Sequence, residues 1–556
     1  MVTQELHQLL AQAVARAAAA GDLPPLPEPL PEFEVEPPKD PRHGDYAANL
    51  ALVLARALGR PPREVGAAVL RHLGVPSDLL RKAEMAGPGF LNLSLAPAAV
   101  HRWLRRVRAE DREFGGTDVG RGRRVLVEYV SANPTGPLHV GTGRNGAVGE
   151  TVARLLTALG YRVSREYYVN DYGAQVEILA RSVEARYLDL LGRSAEFPAD
   201  GYQGEYVREI ARRILEDAGA RLADTSPPER LARIQDLAVR MMLDEIRSTL
   251  DAFGIVFDTW FGERSLHESG AVERCLAEMR RRDLAYEQDG ALWFRSTRFG
   301  DDKDRVIVRS DGRPTYFAAD VPYHLDKYAR GFDHLIDVWG VDHVGDITRV
   351  RGALAALGYD PATLEILIHQ HVRLRNEGEV VRMSKRRGEF VTLREVIDAV
   401  GRDAARFFFI MTSPAAPMDF DFALARRQSS ENPVYYVQYA HARIASILRE
   451  AVRLGVPVPG PETDLTPLSA PEEWALAMRA IALPEVVHAA GMRREPQRLP
   501  AYARELAEAF HVFYGQCRVI TEDAALTAAR LVLVDAARRV LRNTLDLMGV
   551  AALERL

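Results

Sequence analysis

Residues 124–146 read RVLVEYVSANPTGPLHVGTGRNG. The apolar run RVLVEYV has the composition of a buried strand, and it gives way to a loop punctuated by proline and glycine. A helix is predicted to begin near Gly141. Strand, loop and helix in that order open a doubly wound α/β domain, whose ligands lie beyond the carboxyl ends of its strands. A helix N-terminus at that place presents backbone N–H groups and a partial positive charge to an anion. Gly141 and Gly143 would let backbone and anion come close. His139 can donate to a phosphate oxygen, whereas Thr142 offers a hydroxyl that donates but carries no charge.

Working outward, GYRVSREYYV at 160–169 reads as the second strand. From about 175 to 285 helical periodicity dominates, as in GEYVREIARRILEDAG and RIQDLAVRMMLDEIRSTLDAFG, which suggests a helical insertion between two nucleotide-binding halves. Strands return with ALWFRS, RVIVRS and HLIDVWG, and EILIHQHVRL follows. Upstream, an Ala-rich helix over the first 20 residues precedes a proline-rich extended stretch, GDLPPLPEPLPEFEVEPPKDP. DYAANLALVLARALG and PPREVGAAVLRHL read as helices and GFLNLSLAP as a strand, so an α+β module is expected over 1–110. FGGTDVGRGRR reads as a linker. A doubly wound, Rossmann-like domain is expected over 120–390 and a connecting segment over 391–430. An all-α bundle is expected over 431–556, broken by a proline- and acid-rich loop near 455–472. No fixed-period repeat is present.

A chain of 556 residues exceeds one hydrophobic core, so several domains are required. Its net charge of −5 argues against a generally basic nucleic-acid coat but leaves local basic patches open. Only five of the 72 Lys and Arg residues are lysines, so a lysine at a motif position carries information. Cys275 and Cys517 are the only cysteines, too few for a zinc site or a disulfide framework, and no structural metal is expected. A cytoplasmic protein is expected: the N-terminus lacks a signal-peptide pattern, and no run of 18 apolar residues suggests a membrane span.

A second segment, VVRMSKRRGEFVTL at 380–393, completes the reading. Together with the first, it resembles the paired ATP-handling signatures of class I aminoacyl-tRNA synthetases. The likeness narrows to the arginyl-tRNA synthetase family and extends over essentially the whole chain. It implies amino-acid adenylation with ATP and Mg²⁺, followed by transfer to tRNA(Arg), by a monomer. It implies catalytic roles for His139, Thr142 and Lys385, with Thr142 standing where the family usually has a second histidine and Arg382 where it usually has a lysine. ATP would be bound by His139, Gly141, Gly143, Met383, Ser384 and Lys385, with Arg386 and Arg387 adding charge. The ribose would fall to Gly340, Asp342 and His343 in WGVDH, and the adenine to the backbone at His371–Val372.

For L-arginine the resemblance implies Glu128 and Asp320 facing the guanidinium, Tyr316 packing beside it, and Asn133 holding the amino or carboxylate end. Tyr316 and Asp320 are four apart, so one helical turn would place them on one face. Gln175, in YYVNDYGAQVEIL with Asn170 and Asp171, would serve the pocket or order its loop. Asp403-Ala404-Ala405-Arg406 is similar to the family's Asp-Ala-Leu-Arg signature. Tyr436, Tyr439, His441 and Arg443 on the following helix are candidates to contact tRNA, with helix core as the competing reading of the aromatics. Two other readings stay open: a tRNA-binding paralogue with lost or altered activation, Thr142 being the lesion, and a class I synthetase for another amino acid.

Overall fold

The computed structural model describes residues 1–376, 379–380 and 391–556. The amino-terminal part contains α1 (Val2–Ala19), β1 (Val35–Glu36), β2 (Tyr46–Ala48), α2 (Leu50–Leu58), α3 (Pro62–Arg71), β3 (Leu80–Ala86), β4 (Phe90–Leu95) and α4 (Pro97–Glu110). Its four strands form an antiparallel sheet in the order β1-β2-β4-β3. Tyr46–Ala48 lies in a run whose periodicity predicts helix. Pairing with β4, Tyr46 opposite Leu93, makes it a strand instead, because cross-strand packing outweighs local propensity. The glycine-rich run after α4 is no free tether: Thr117 N–H donates to Ala158 O at 2.9 Å and Gly120 N–H to Leu159 O at 2.7 Å, both at the end of the helix that follows β5.

The central part comprises β5 (Arg124–Glu128), α5 (Val140–Ala158), β6 (Arg162–Val169), α6 (Ala174–Leu190), α7 (Glu205–Ala218), α8 (Pro227–Phe253), β7 (Thr259–Gly262), α9 (Arg264–Glu268), α10 (Ala271–Arg281), β8 (Ala285–Gln288), β9 (Ala291–Phe294), β10 (Arg305–Val308), α11 (Tyr316–Ala329), β11 (His334–Gly340), α12 (Ile347–Leu357) and β12 (Leu364–His369). Five of these strands form one parallel sheet in the order β12-β11-β5-β6-β7. The order reverses at β5, which creates the crevice that a doubly wound sheet offers to ligands.

The composition of β5 explains its central place. Val125 and Val127 join the large core on one face, while Leu126 joins Leu335, Val350, Leu354 and Leu364 on the other. Apolar residues on both faces are what an internal parallel strand needs. α5 is buried along nearly its whole length. A side chain at Gly149 would place its first carbon 2.3 Å from the Tyr129 ring, so only glycine lets the helix sit this close to the sheet.

Two features depart from the periodicity. The stretch read as helical between 175 and 285 contains β7, four residues that become the sheet's edge strand. ALWF and RVIV do not join the parallel sheet: with β8 they form a separate antiparallel sheet, β10-β9-β8. Short apolar runs specify a strand without specifying its partner.

After β12 come β13 (Val372–Asn376), β14 (Glu379–Val380), α13 (Leu393–Val400), α14 (Arg402–Met411), β15 (Met418–Asp421) and α15 (Phe422–Arg426). The chain ends in α16 (Pro433–Arg453), α17 (Pro471–Ile481), α18 (Leu483–Arg493), α19 (Arg498–Gln516) and α20 (Ala524–Met548), a bundle in which α16, α17 and α19 pack on α20. The segment Pro471–Arg493 is long and apolar enough to cross a membrane, but it is half buried and consists of two bundle helices.

Candidate active site

The loop from β5 to α5 is held in an unusual conformation. Val130 and Ser131 take φ values of 67° and 40°, a region that costs a β-branched residue energy. Several hydrogen bonds over-determine it. Asn145, from the second turn of α5, accepts from Val130 N–H and donates to Val338 O on β11. Ser131 Oγ donates to Glu128 and accepts from Tyr168 N–H. Tyr167 and Tyr206 donate to Ala132 O and Thr135 O, each at 2.7 Å.

His139 is the residue before the first turn of α5. Its Nδ1 accepts from Gly141 N–H at 3.0 Å and from Thr142 N–H at 3.4 Å. Thr142 Oγ1 accepts from His139 N–H at 2.9 Å and donates to His139 O at 2.6 Å. This is a reciprocal cap of the helix terminus. The two glycines also have a packing reason of their own. A carbon added at Gly141 would meet the His139 ring at 2.9 Å, and one at Gly143 would meet Leu393 at 2.6 Å and Phe409 at 3.1 Å. Gly141 makes room for the imidazole, and Gly143 makes room for Leu393 and Phe409.

Met383, Ser384 and Lys385, with Arg382, Arg386 and Arg387, lie outside the described residues. The segment that follows them is laced to the first loop: Leu393 N–H donates to Leu138 O at 2.7 Å, and Thr392 bridges His139. Thr392 opens α13 with its own reciprocal cap to Glu395. Two stretches far apart in the chain thus meet at the carboxyl edge of the sheet.

A second group of residues lies beside them. Asn133 Nδ2 donates to Gln175 Oε1 at 2.6 Å, and Gln175 in turn lies against the Tyr316 hydroxyl. Tyr316 begins α11 and is 56 % exposed, and Asp320 follows one turn later. Among the described residues the Asp320 carboxylate has no hydrogen bond and no cation; only its backbone carbonyl is engaged, by His324 Nδ1. Burial pushes its pKa up to about 7, with Glu128 adding to the rise. Glu263, at the end of β7, is also pushed to about 7, first by burial and then by repulsion from Asp320. The buried Tyr168 hydroxyl lies against the Glu263 carboxyl and feels the charge of Asp320 as well. Two crowded carboxyls beside a tyrosine hydroxyl form an acceptor set suited to a planar cation with several N–H donors.

Glu128 is placed differently from the expectation. It is 7 % exposed, and its carboxylate accepts from Lys327 Nζ at 2.6 Å and from Ser131 Oγ at 2.9 Å. Lys327 is fully buried and also donates to Asp337 at 2.8 Å, while His324 Nε2 bonds the other Asp337 oxygen at 2.8 Å. Burial would lower the Lys327 pKa, but Asp337 and Glu128 outweigh it and keep the ammonium charged. Burial alone would raise Asp337, yet Lys327 and His324 hold it down at about 2. Glu128 therefore already has a lysine as its cation, and the acid left without one is Asp320, with Glu263, itself 3.7 Å from His267 Nε2, close enough to repel it.

Sequence reading missed Glu263, because the glutamate in WFGERSL carries no local mark and sits near Asp320 only through the β6–β7 pairing. Gly340, Asp342 and His343 lie at the end of β11 and in the turn after it. Asp342 is exposed and 3.9 Å from His371 Nε2, and His343 is held by Asp346, which raises its pKa. Val372 is buried in β13 opposite Met418, and His371 O already accepts from Met418 N–H.

On the bundle, His441 is 1 % exposed and Nδ1 bonds Leu553 O at 2.8 Å, so it is a core residue and cannot reach a surface base. Tyr436 packs on His511 with ring centroids 4.8 Å apart. Tyr439 and Arg443 do reach the surface, where the Arg443 guanidinium lies 5.4 Å from the Tyr439 ring and 5.5 Å from that of Tyr514. Tyr435 stacks on Tyr439. Tyr435 and Tyr514 were also missed; the helix pairing that joins α16 to α19 brings them into the patch. The Asp403–Arg406 signature is internal: Arg406 is buried and donates to Met548 O at 2.8 Å and Phe253 O at 3.1 Å, which ties α14 to the ends of α20 and α8.

Known proteins resemble this chain along its whole length. Residues 4–95 match the arginyl tRNA synthetase N-terminal domain, 104–408 the catalytic domain of class I (R) tRNA synthetases, and 437–556 the DALR anticodon binding domain. An arginine–tRNA ligase from Moorella thermoacetica is 49 % identical, covering 100 % of this chain and 99 % of that protein. One from Syntrophotalea carbinolica is 48 % identical, covering 95 % of each. The arginyl-tRNA synthetase of Thermus thermophilus superposes with a TM-score of 0.74 at 25 % identity, covering 100 % of both chains.

Proposed function

The chain belongs to the arginyl-tRNA synthetase family, and from that premise we propose how its own residues perform the ligation. It is an ATP-dependent arginine–tRNA ligase. In the first step a carboxylate oxygen of L-arginine attacks the α-phosphorus of ATP and the bond to the β-phosphate breaks, giving arginyl-adenylate and pyrophosphate. In the second a terminal ribose hydroxyl of tRNA(Arg) attacks the arginyl carbonyl and AMP leaves. Such chemistry rests on alignment and on charge stabilisation at the phosphates.

The observation that carries the substrate assignment is the unpaired Asp320 carboxylate crowded against Glu263 and the Tyr168 hydroxyl. A guanidinium satisfies all three at once. A neutral side chain would leave Asp320 unpaired, a penalty on which discrimination can rest. Tyr316 covers the guanidinium, and Asn133 with Gln175 orients the α-amino and carboxylate end. Glu128 acts through Lys327 and Ser131 as support for the pocket. His139 contacts ATP from the α5 terminus, Gly340, Asp342 and His343 hold the ribose, and Lys385 brings a positive charge to the β- and γ-phosphates. Thr142 acts on His139 and not on the nucleotide. Mg²⁺ would come with the nucleotide and neutralise charge on its phosphates. The Tyr435, Tyr439, Arg443 and Tyr514 patch supplies stacking surfaces for tRNA bases. A cytoplasmic monomer is the proposed working state, supported by two buried, separate thiols suited to a reducing compartment.

Pyrophosphate exchange with L-arginine, run with and without tRNA(Arg), tests the reading. Exchange driven by arginine supports it. Exchange with another amino acid overturns the substrate assignment, and no exchange with tRNA present points to a paralogue that binds without activating.

A further inference from the structure

Thr142 stands where the resemblance leads one to expect a second histidine, and its hydroxyl is fully engaged inside the chain. The proton goes to His139 O at 2.6 Å, and a lone pair takes His139 N–H at 2.9 Å. The same carbonyl accepts Gly143 N–H at 3.0 Å, so the cap is continuous with the first turn of α5. While it holds, the hydroxyl has no proton to offer a phosphate.

The cap has a chemical consequence one residue away. It fixes His139 in an extended conformation, φ −101° and ψ 172°, from which the imidazole folds back over Gly141. Nδ1 then receives the N–H groups of Gly141 and Thr142. A nitrogen that accepts from two amides presents its lone pair to them, so the ring proton resides on Nε2. The amides that a bare helix terminus would offer to an anion are occupied by the ring. Their polarity reaches the nucleotide through the imidazole, whose Nε2–H is strengthened as a donor by the bonds received at Nδ1.

Resting on the ligase reading above, we infer that Thr142 is a positioning residue. It clamps His139 in the neutral Nε2–H tautomer and thereby makes that nitrogen the side-chain donor of the first motif. The substitution of threonine for histidine is then no lesion. It exchanges a second side chain at the nucleotide for a rigid first one.

The test combines a spectroscopic signature with kinetics on the full-length enzyme. In ¹⁵N-histidine-labelled protein, the resonances lost in His139→Gln identify His139. An unprotonated, hydrogen-bonded Nδ1 and a protonated Nε2 are expected at neutral pH. A proton on Nδ1 in the unmodified enzyme overturns the inference whether or not any variant folds. In arginine-dependent pyrophosphate exchange, Thr142→Val removes the hydroxyl at nearly constant volume. It is expected to lower kcat about tenfold or more, the scale set by loss of a positioned donor, while KM for arginine changes less than about twofold. Thr142→Ser keeps the hydroxyl and is expected to recover most of that rate and the single tautomer. Unchanged kcat in the valine variant, or a serine variant as slow as the valine one, overturns the clamp. Absence of exchange in the unmodified enzyme would instead defeat the ligase reading, and the spectrum would still decide the tautomer.

Discussion

Arginine affinity should fall steeply with acidification through neutrality, because the site that awaits the guanidinium is itself half protonated. Asp320 and Glu263 are each pushed up to about 7 in the absence of a cation, by burial first and then by neighbouring acids. The guanidinium stays charged throughout this range, so only the ionised carboxyls bind it well. If one carboxyl must ionise, its charged fraction drops from about 0.9 at pH 8 to about 0.1 at pH 6, and the apparent Kd rises about tenfold. If both must ionise, the rise approaches about a hundredfold. Titration calorimetry at the two pH values, in buffers of different ionisation enthalpy, measures the affinity and also the protons released on binding. Asp320→Asn should raise Kd by more than about thirtyfold, the cost of leaving a buried charge without its partner. It should also move the remaining titration to lower pH, since Asp320 is one of the groups raising Glu263. The linkage has a counterpart in stability. Both folded-state pKa values lie above their unfolded values, so the native state holds extra protons and stability without ligand declines as pH rises from about 4 to about 7. Arginine should therefore raise Tm more at pH 8 than at pH 6. An affinity that is flat between these pH values, with no proton release, would refute the two-acid site.

Three further outcomes are expected. Lys327→Met strands Glu128 without its cation and leaves Asp337 only His324, and it should destabilise the protein by about 3–5 kcal/mol, read as a lower urea midpoint; an unchanged midpoint would show that the buried pair is not held as described. The depressed Asp337 contributes stability above its unfolded pKa of 3.8, and acid unfolding should remove it as pH falls toward about 2. Arg406→Ala leaves Met548 O and Phe253 O without a charged donor and should cost about 3 kcal/mol, with faster amide exchange at the end of α20; uniform exchange across α20 would contradict a junction role. Tyr514→Ala should raise KM for tRNA about tenfold, a single stacking contact, and leave arginine affinity alone; equal KM values would remove this patch from the tRNA surface.

Legibility in the sequence followed the range of the interactions. The VLV strand, its Pro/Gly loop, the helix at His139 and the bundle helices announce themselves because their signals lie within one turn or one strand. Tyr316 and Asp320 share a face for the same reason. His441 and Tyr439 sit two residues apart on one helix, yet one is core and the other reaches the surface, since α16 is covered on one side by α20 and the C-terminal tail. Gly141 and Gly143 look alike as motif glycines, but one yields space to an imidazole and the other to Leu393 and Phe409.

Sequence alone thus determined the class of fold and the identity of the chemistry, because a strand–loop–helix unit and its motif residues are written locally. Only the tertiary structure decided which acid meets which cation. Lys327, 199 residues from Glu128, claims that carboxylate and leaves Asp320 unpaired, and Glu263 is delivered beside it by an edge strand that periodicity hid. The physical reason is that charge pairing depends on distance in space and on burial, and neither is encoded in the spacing of residues along the chain.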